Sequence, residues 1–349
     1  MSVPTRVSKP LVLVTGGSGF IAGHVCQLLA SVGFQVRTTV RSKSPSKTAH
    51  LQDMGVEVID GIDLLEPNCW DAVLDGCEYV HHCASPFFFT TPGGDPMNGF
   101  VKPALQGTRN VLLAAIKANV KRVVLTSSCA AITWGHVNNH PQQESHIWTE
   151  DDWQKDNTLE NGAYRFSKRV AEQEAWKLVH NTAVELVTIC PSFVLGPILS
   201  PRADAASIMF MRSMCDGTTE KMAASAFGCV DVRNVADAHV SAMSVDLHQP
   251  GLKNNREEAR FILSSECSYP HLQIANTLRD AENGMYGQKY AIPTESEGLP
   301  LQEVHYSNAR ARHFLGVNFH PLKTSLVDGV LSLEQHGLLK VKEDDYSNL

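Results

Sequence analysis

Residues 11 to 22 read LVLVTGGSGFIA, and this stretch decides the fold. The apolar run from Leu11 to Val14 is too short for a helix and is typical of a strand buried on both faces of a parallel sheet. A glycine-rich turn between a strand and a helix lets the backbone approach a pyrophosphate, which the first N–H groups of the helix then bind. A tight turn without a ligand is the alternative. The residues expected to hold a dinucleotide here are Gly16, Ser18, Gly19, Phe20 and Ile21.

Apolar runs of strand length alternate with helix-length segments as far as Gly196. This alternation predicts an α/β fold with a doubly wound, mostly parallel (Rossmann) sheet and a smaller C-terminal α/β substrate lobe. We expect residues 1–195 to form the dinucleotide-binding domain, with 229–246 returning to it, and 196–228 and 247–349 to form the lobe. The expected strands are 11–14, 34–40, 56–59, 78–83, 121–126 and 184–190, and the expected helices include 101–118, 163–180 and 231–245.

The composition excludes several classes of protein. Of 349 residues, 43% are hydrophobic and 19% charged, which predicts a globular chain and not a disordered one. A net charge of −7 argues against a dedicated nucleic-acid binder. Nine cysteines without C-x-x-C spacing indicate a reducing compartment, and we expect a cytoplasmic protein. The uncharged stretch 11–36 is interrupted by glycines, so no membrane span is expected.

Charge is distributed unevenly, because no acidic residue precedes Asp53 while six basic residues do. Sites specific for NAD place a carboxylate after the second strand, whereas a 2′-phosphate requires a basic residue there. Here that strand ends in Arg41, and Lys43 and Lys47 follow. The sequence therefore favours NADPH, with a solvated loop as the alternative. Asp63, after the third strand, is a candidate for the adenine amino group or a plain loop aspartate.

Tyr164 and Lys168 are four residues apart and share one helix face. A neighbouring ammonium favours a phenolate and draws the pKa of a tyrosine towards neutrality, which suits a proton donor. Ser127 and Ser128 follow the strand 121–126, at the edge where open α/β sheets bind ligands. An exposed helical pair and a serine turn are the alternatives.

Taken together, these segments resemble the extended short-chain dehydrogenase/reductase superfamily. The similarity is greatest to the branch of dihydroflavonol reductases, cinnamoyl-CoA reductases and yeast NADPH-dependent aldehyde and ketone (methylglyoxal-type) reductases. It extends over nearly the whole chain, and its motifs occupy residues 15–21, 41–42, 82–86, 125–128, 164–168, 191–197 and 231–239.

The resemblance implies a role for each matching residue. Ser128, in preference to Ser127, matches the catalytic serine, and Tyr164 matches the proton donor. Lys168 matches the residue that lowers the pKa of that tyrosine and holds the nicotinamide ribose. The further cofactor contacts implied are Arg41 and Lys47 for the 2′-phosphate, Asp63 and Leu64 for adenine, Ala84 beside the ribose, and Pro191 and Val194 at the carboxamide. Thr126 is a further expected cofactor-binding residue.

The implied activity is hydride transfer from NADPH to an aldehyde or ketone, which gives an alcohol. Phe87, Trp134 and Phe193 are expected to face a small or aromatic carbonyl substrate, with a role in the lobe core as the alternative. Some relatives have an asparagine that relays protons, and this chain has Ala104 at the corresponding position. No metal is expected, because His81 and His82 are adjacent on a strand and point to opposite faces.

Two other functions fit parts of the pattern. A sugar-nucleotide epimerase or dehydratase shares the glycine loop and the Tyr/Lys pair, but it holds NAD tightly. A nucleotide-sensing regulator keeps the loop without the catalytic residues. The expected partner is a small carbonyl compound, with no nucleic acid and no membrane, and the expected state is a monomer or homodimer.

Overall fold

The computed structural model describes residues 9–85, 92–133, 146–202, 204–252, 259–299 and 303–339. Within these ranges, no helix combines the length and the apolar character that a membrane crossing requires. The strands are β1 (Leu11–Thr15), β2 (Gln35–Thr39), β3 (Glu57–Ile59), β4 (Cys77–His82), β5 (Arg122–Thr126), β6 (Ile147–Trp148), β7 (Glu185–Pro191), β8 (Phe193–Leu195), β9 (Met222–Ala223), β10 (Ala226–Phe227), β11 (Cys229–Asp231), β12 (Arg260–Leu263), β13 (Tyr269–Pro270), β14 (Ser296–Glu297) and β15 (His305–Tyr306).

The helices alternate with the long strands and then become more frequent towards the end of the chain. They are α1 (Phe20–Ser31), α2 (Pro45–Asp53), α3 (Trp70–Leu74), α4 (Lys102–Lys117), α5 (Leu159–Val179), α6 (Ala206–Cys215), α7 (Val232–Ala242), α8 (His271–Arg279), α9 (Ala281–Lys289), α10 (Ala309–Leu315) and α11 (Leu322–Gln335).

Seven strands form one sheet in the order β12, β7, β5, β4, β1, β2, β3. All neighbouring pairs in it are parallel. The direction of the chain across the sheet reverses between β1 and β4, and ligands of open α/β sheets bind at such a switch point. The predicted doubly wound sheet is confirmed, and its carboxyl edge between these two strands is the expected place for a site.

The hydrophobic residues form two large buried clusters. The first surrounds the sheet and includes Val12, Leu112 and Val187. The second joins β8 and α6 to helices from the last quarter of the chain and includes Met211 and Leu326. A separate lobe core is thus visible, while the proposed boundaries of the two domains stay a prediction.

One segment assigned to the lobe contributes to the sheet instead. Residues 260–263, inside the expected lobe 247–349, form β12 and pair with Thr188 to Pro191 of β7. All four residues of β12 are buried. The reason is that the short run RFIL offers apolar side chains for both faces of a sheet, which places it at a sheet edge covered by other elements.

Candidate active site

The glycine loop lies between β1 and α1, and its backbone is packed tightly against β2. Gly16 has a φ of 75°, and the N–H of Gly19 donates to the carbonyl oxygen of Gly16 at 2.8 Å. A Cβ on Gly17 would lie 2.2 Å from Oγ1 of Thr38. A side chain at Gly17 would therefore push β2 away, which explains the glycine.

The start of α1 is left open for an anion. Gly19 is the N-cap and has no side chain to cap the helix, and the first turn holds no acidic residue. The first free N–H groups of a helix, together with its dipole, bind phosphates. Ser18, Phe20 and Ile21 lie at this end, so these residues fit the pyrophosphate of a dinucleotide.

Basic residues follow β2, at the carboxyl edge beside the glycine loop. Arg41 is exposed just beyond β2, and Lys47 is exposed in the first turn of α2. Arg37 is one of the six basic residues before Asp53, but its side chain makes contacts within the protein. It pairs with Glu57 at 2.8 Å and donates to the carbonyl oxygen of Val73 at 2.9 Å. Arg41 and Lys47 therefore remain as exposed cations after β2, and their contact with a 2′-phosphate stays a prediction.

Asp63 and Leu64 lie beyond β3 and make local contacts. A carboxylate oxygen of Asp63 accepts the N–H of Leu65 at 2.9 Å, which closes a turn. The carbonyl oxygen of Leu64 accepts the side-chain amide of Asn110 at 3.0 Å. Leu64 also packs against Gly107 of α4, where a Cβ would approach its Cγ to 2.4 Å. The loop that would face adenine is thus fixed by α4.

Ala84 follows β4, and Thr126 is the last residue of β5. Both residues therefore lie at the carboxyl edge of the sheet. The N–H of Ala84 donates to Oγ1 of Thr15 at 3.0 Å, and Ala84 lies against Gly16. The hydroxyl of Thr126 is 2.9 Å from Nε2 of His239, so it is directed into the protein. Ala84 and Thr126 both line the cavity that contains Lys168, and Thr126 also contacts α7 through His239, so their cofactor contacts stay predictions.

The two serines after β5 have different environments. Ser128 forms a side-chain hydrogen bond with Tyr164, accepts the N–H of Ala130 at 3.1 Å and lies 3.4 Å from the carbonyl oxygen of Pro191. Ser127 instead donates to a carboxylate oxygen of Glu172 at 2.5 Å. The structure thus brings Ser128, and not Ser127, to Tyr164.

Tyr164 lies near the start of α5, just after a break in the helix at Gly162. A Cβ on Gly162 would lie 2.4 Å from the side-chain nitrogen of Asn157. The ring of Tyr164 contacts that of Phe100 edge to face, with 6.1 Å between centroids. The pKa of Tyr164 is raised to about 12, chiefly by burial, although the hydrogen bond from Ser128 lowers it. The expected lowering of this pKa is therefore not found, because burial outweighs the neighbouring charges.

Lys168 is buried one turn further along α5. Burial lowers the pKa of its ammonium to about 8, and the charge of Glu172 acts in the opposite direction. Lys168 and Glu172 line a cavity of about 260 Å³ that also includes His82 and Thr108. Ala104, one turn before Thr108, offers no polar group. The other polar residues that line this cavity are Ser85, Thr126 and Ser127.

Glu172 is a site residue that the sequence did not single out. Besides Ser127, it accepts hydrogen bonds from Arg260 at 2.8 Å and Thr188 at 2.8 Å, and both it and Arg260 are fully buried. The sequence signal that could have identified Glu172 is its position on α5, eight residues after Tyr164 on the same helix face.

The remaining predicted residues border the lobe. Pro191 ends β7, and Val194 pairs with Val230 and is buried. The ring of Phe193 stacks on that of Phe227 with 4.2 Å between centroids. Phe227 in turn lies 4.2 Å from the ring of His271. Phe193 thus belongs to an aromatic cluster at the lobe, while Phe87 and Trp134 lie outside the described residues.

The chain is similar to known proteins in sequence and in fold. A model of the NAD dependent epimerase/dehydratase family matches residues 12–251, more than half of the chain. The chain belongs to this family. Its expected place in the extended short-chain dehydrogenase/reductase superfamily is thereby confirmed.

Several relatives of this chain are named reductases. The cinnamoyl-CoA reductase CAD2 of Medicago truncatula is 32% identical over 341 residues, which covers 93% of this chain and 96% of the relative. Cinnamoyl-CoA reductase 1 of Petunia hybrida is also 32% identical, with 96% and 95% covered. The structure of yeast methylglyoxal/isovaleraldehyde reductase Gre2 complexed with NADPH is similar with a TM-score of 0.76 at 25% identity, covering 94% of this chain and 100% of that chain. The expected class, an oxidoreductase, is confirmed.

Proposed function

We propose that this protein is an NADPH-dependent carbonyl reductase that converts a small or aromatic aldehyde or ketone to an alcohol. The observation that supports this function best is the hydrogen bond between Tyr164 and Ser128, with Lys168 one turn away on α5. All three lie at the carboxyl edge of the sheet, where the glycine loop also ends. This arrangement provides a proton donor, a group that orients a carbonyl oxygen, and a cation.

The residues of the glycine loop and of β2 suit NADPH. NADPH, when bound, supplies the hydride to the carbonyl carbon. The open N-terminus of α1 would hold its pyrophosphate, and Arg41 and Lys47 would hold its 2′-phosphate. The chain has no carboxylate between the end of β2 and Asp53, so none in this stretch repels that phosphate or binds a free ribose hydroxyl.

Tyr164 and Ser128 would act on the substrate oxygen. The hydroxyl of Ser128 donates a hydrogen bond to the carbonyl oxygen and fixes its position. As the carbonyl carbon gains the hydride, the phenol of Tyr164 gives its proton to that oxygen and becomes a phenolate. Because its raised pKa keeps the phenol protonated at neutral pH, Tyr164 holds this proton until the substrate is bound. The ammonium of Lys168 then stabilises the phenolate.

Substrate choice would depend on the border of the lobe. The aromatic cluster of Phe193, Phe227 and Phe210 is partly exposed and offers apolar surface near the end of β7. This surface suits an apolar or aromatic carbonyl compound.

The division into domain and lobe, the cytoplasmic location and the monomeric or homodimeric state stay predictions.

The direct test is Tyr164→Phe, which removes the phenolic hydroxyl and keeps the ring contact with Phe100. We expect turnover with a panel of aldehydes and ketones to fall about 100-fold or more, with unchanged Tm. The measurement is loss of NADPH absorbance under saturating cofactor. Reduction by Tyr164→Phe at the wild-type rate would exclude Tyr164 as the proton donor.

The two serines provide a matched comparison for the same assay. Ser128→Ala should lower turnover by about tenfold or more, because the carbonyl oxygen loses an oriented donor. Ser127→Ala should leave turnover within a few fold, because its hydroxyl is directed to Glu172. The reverse order of effects would mean that Ser127 is the catalytic serine.

A further inference from the structure

The segment after β8 passes beside the glycine loop, and its Arg202 contacts Ser18 of that loop. Nη1 of Arg202 donates to the carbonyl oxygen of Ser18 at 2.8 Å and lies 3.2 Å from the hydroxyl of Ser18. The approach is fixed a few residues earlier, where Nε2 of His24 on α1 lies 2.8 Å from the carbonyl oxygen of Pro197. Arg202 is thus held against the loop that is expected to carry the cofactor phosphates.

An open cleft of about 310 Å³ lies beside this contact. It is lined by the start of α1, by His50 of α2 and by the segment that carries Arg202. The side chain of Arg202 is one quarter exposed, and its Nε pairs with Asp204. Among the described residues, Nη2 of Arg202 makes no hydrogen bond, so this nitrogen is available to an anion in the cleft.

Asp204 connects Arg202 electrostatically to the basic residues after β2. Partial burial alone would raise the pKa of the Asp204 carboxyl, yet this pKa is lowered. The causes are the hydrogen bond and charge of Arg202 and, to a smaller extent, the charge of Lys47. Asp204 therefore pairs with Arg202 and also feels the positive charge of Lys47.

The loop itself has no charged side chain with which to neutralise a phosphate. Residues 11 to 36 contain no Lys or Arg, so they offer a phosphate only backbone N–H groups, the helix dipole and neutral side chains such as the hydroxyl of Ser18. A guanidinium held at Ser18 would supply a full positive charge and a fork of donors to a phosphate oxygen. Sequence spacing does not reveal this, because Arg202 lies 184 residues after Ser18.

We propose that Arg202 is a cofactor-binding residue, which contacts a phosphate group of NADPH from the lobe side while it stays anchored to Ser18. This inference rests on the proposed use of NADPH. It adds a residue outside the glycine loop and β2 to the binding site, and it links the segment after β8 to cofactor affinity.

The experiment compares NADPH binding by the wild type, Arg202→Ala and Arg202→Gln, using the fluorescence of bound NADPH. Arg202→Gln keeps a side chain that can hydrogen-bond Ser18 but removes the charge. We expect both variants to weaken NADPH binding about tenfold or more, since a hydrogen bond to a charged group is lost. The rise in Tm caused by NADPH should shrink in parallel.

The matched control is Arg212→Ala, which removes the same charge from the neighbouring helix α6. Arg212 is exposed and pairs with Asp216 at 3.5 Å, so its loss should leave NADPH affinity within about twofold. A parallel titration with NADH identifies the phosphate. Loss confined to NADPH assigns the contact to the 2′-phosphate, and equal loss for both assigns it to the pyrophosphate.

Wild-type affinity for NADPH in Arg202→Gln, or an equal loss in Arg212→Ala, would overturn the role of Arg202. That result is distinct from failure of the proposed function, in which the wild-type protein itself would not bind NADPH. If Arg202→Ala is unstable without cofactor, Arg202→Gln decides the question, because it retains the side chain that packs on the loop.

Discussion

Lys168 carries an ammonium in a buried position beside the proposed proton donor. Its pKa is lowered from 10.5 to about 8, because burial removes water from the charge. In the unfolded chain the pKa returns to its ordinary value. Below pH 8 the folded protein therefore bears the full cost of a buried charge, and this cost disappears as the pH rises from 8 towards 10.5.

Replacement of Lys168 by methionine should separate activity from stability. We expect Lys168→Met to lose at least about 100-fold in turnover, because the phenolate of Tyr164 loses its stabilising cation. The Tm of the protein without cofactor should rise by several degrees at pH 7, and the gain should shrink towards pH 10. Calorimetry at both pH values measures this difference.

Lys177→Met, at the exposed end of the same helix, is the control. The side chain of Lys177 is 79% exposed, so its charge carries no burial cost and its removal should not raise the Tm. A lower Tm for Lys168→Met at pH 7 would mean that the ammonium stabilises the fold through Glu172.

The sequence predicted the shared helix face of Tyr164 and Lys168 but not their environments. Spacing alone places two side chains one turn apart, whereas burial depends on neighbours such as Phe100 and Glu172. For the same reason, spacing alone left Ser127 and Ser128 as alternatives for the catalytic serine. Contacts with remote residues distinguish their directions: Ser127 contacts Glu172, 45 residues away, and Ser128 contacts Tyr164.

At the scale of elements, one buried ion pair joins α5 to β12. Arg260 pairs with Glu172, lies 3.7 Å from the ring centroid of Trp153, and donates to the backbone oxygens of Glu150 and Asp152. No local pattern predicts this pair, since its members are 88 residues apart. An arginine at the start of the apolar run RFIL was the single sequence sign of a special contact.

Arg260→Met should destabilise the protein by about 3–5 kcal/mol, because Glu172 is left as a buried charge without its partner. The double variant Arg260→Met/Glu172→Met should recover part of this loss. Urea unfolding measures both. Lys121→Met, which breaks an exposed pair with Glu78, should leave stability almost unchanged. Equal effects of Arg260→Met and Lys121→Met would contradict the importance of the buried pair.

At the scale of the whole molecule, the sheet was predictable and the lobe was not. Strands such as β1 and β5 are built around continuous apolar runs, and every expected strand of the sheet before Gly196 is present. Beyond Gly196 the strands other than β12 shrink to two or three residues, and they pair with distant partners, as β9 does with β14. Such pairing leaves no periodic pattern in the sequence, so β12 was assigned to the lobe.

The same contrast applies to the candidate site. Motifs in the first 170 residues predicted the glycine loop, Arg41 and the catalytic trio. Glu172 and Arg202 were missed because their roles arise from contacts between remote segments. The proposed reaction nevertheless depends on the residues that the sequence predicted. In this reaction hydride passes from NADPH to a carbonyl carbon, whereas an epimerase retains its NAD.

Transfer of deuterium tests this claim most directly. The purified protein is incubated with NADPH deuterated at the transferable position of the nicotinamide and with an aldehyde or ketone, and the product is analysed by mass spectrometry. We predict an alcohol that carries one deuterium at the former carbonyl carbon, with one NADPH consumed for each product molecule. Tightly bound NAD in the purified protein, with no NADPH consumed and no deuterium in any product, would contradict the account.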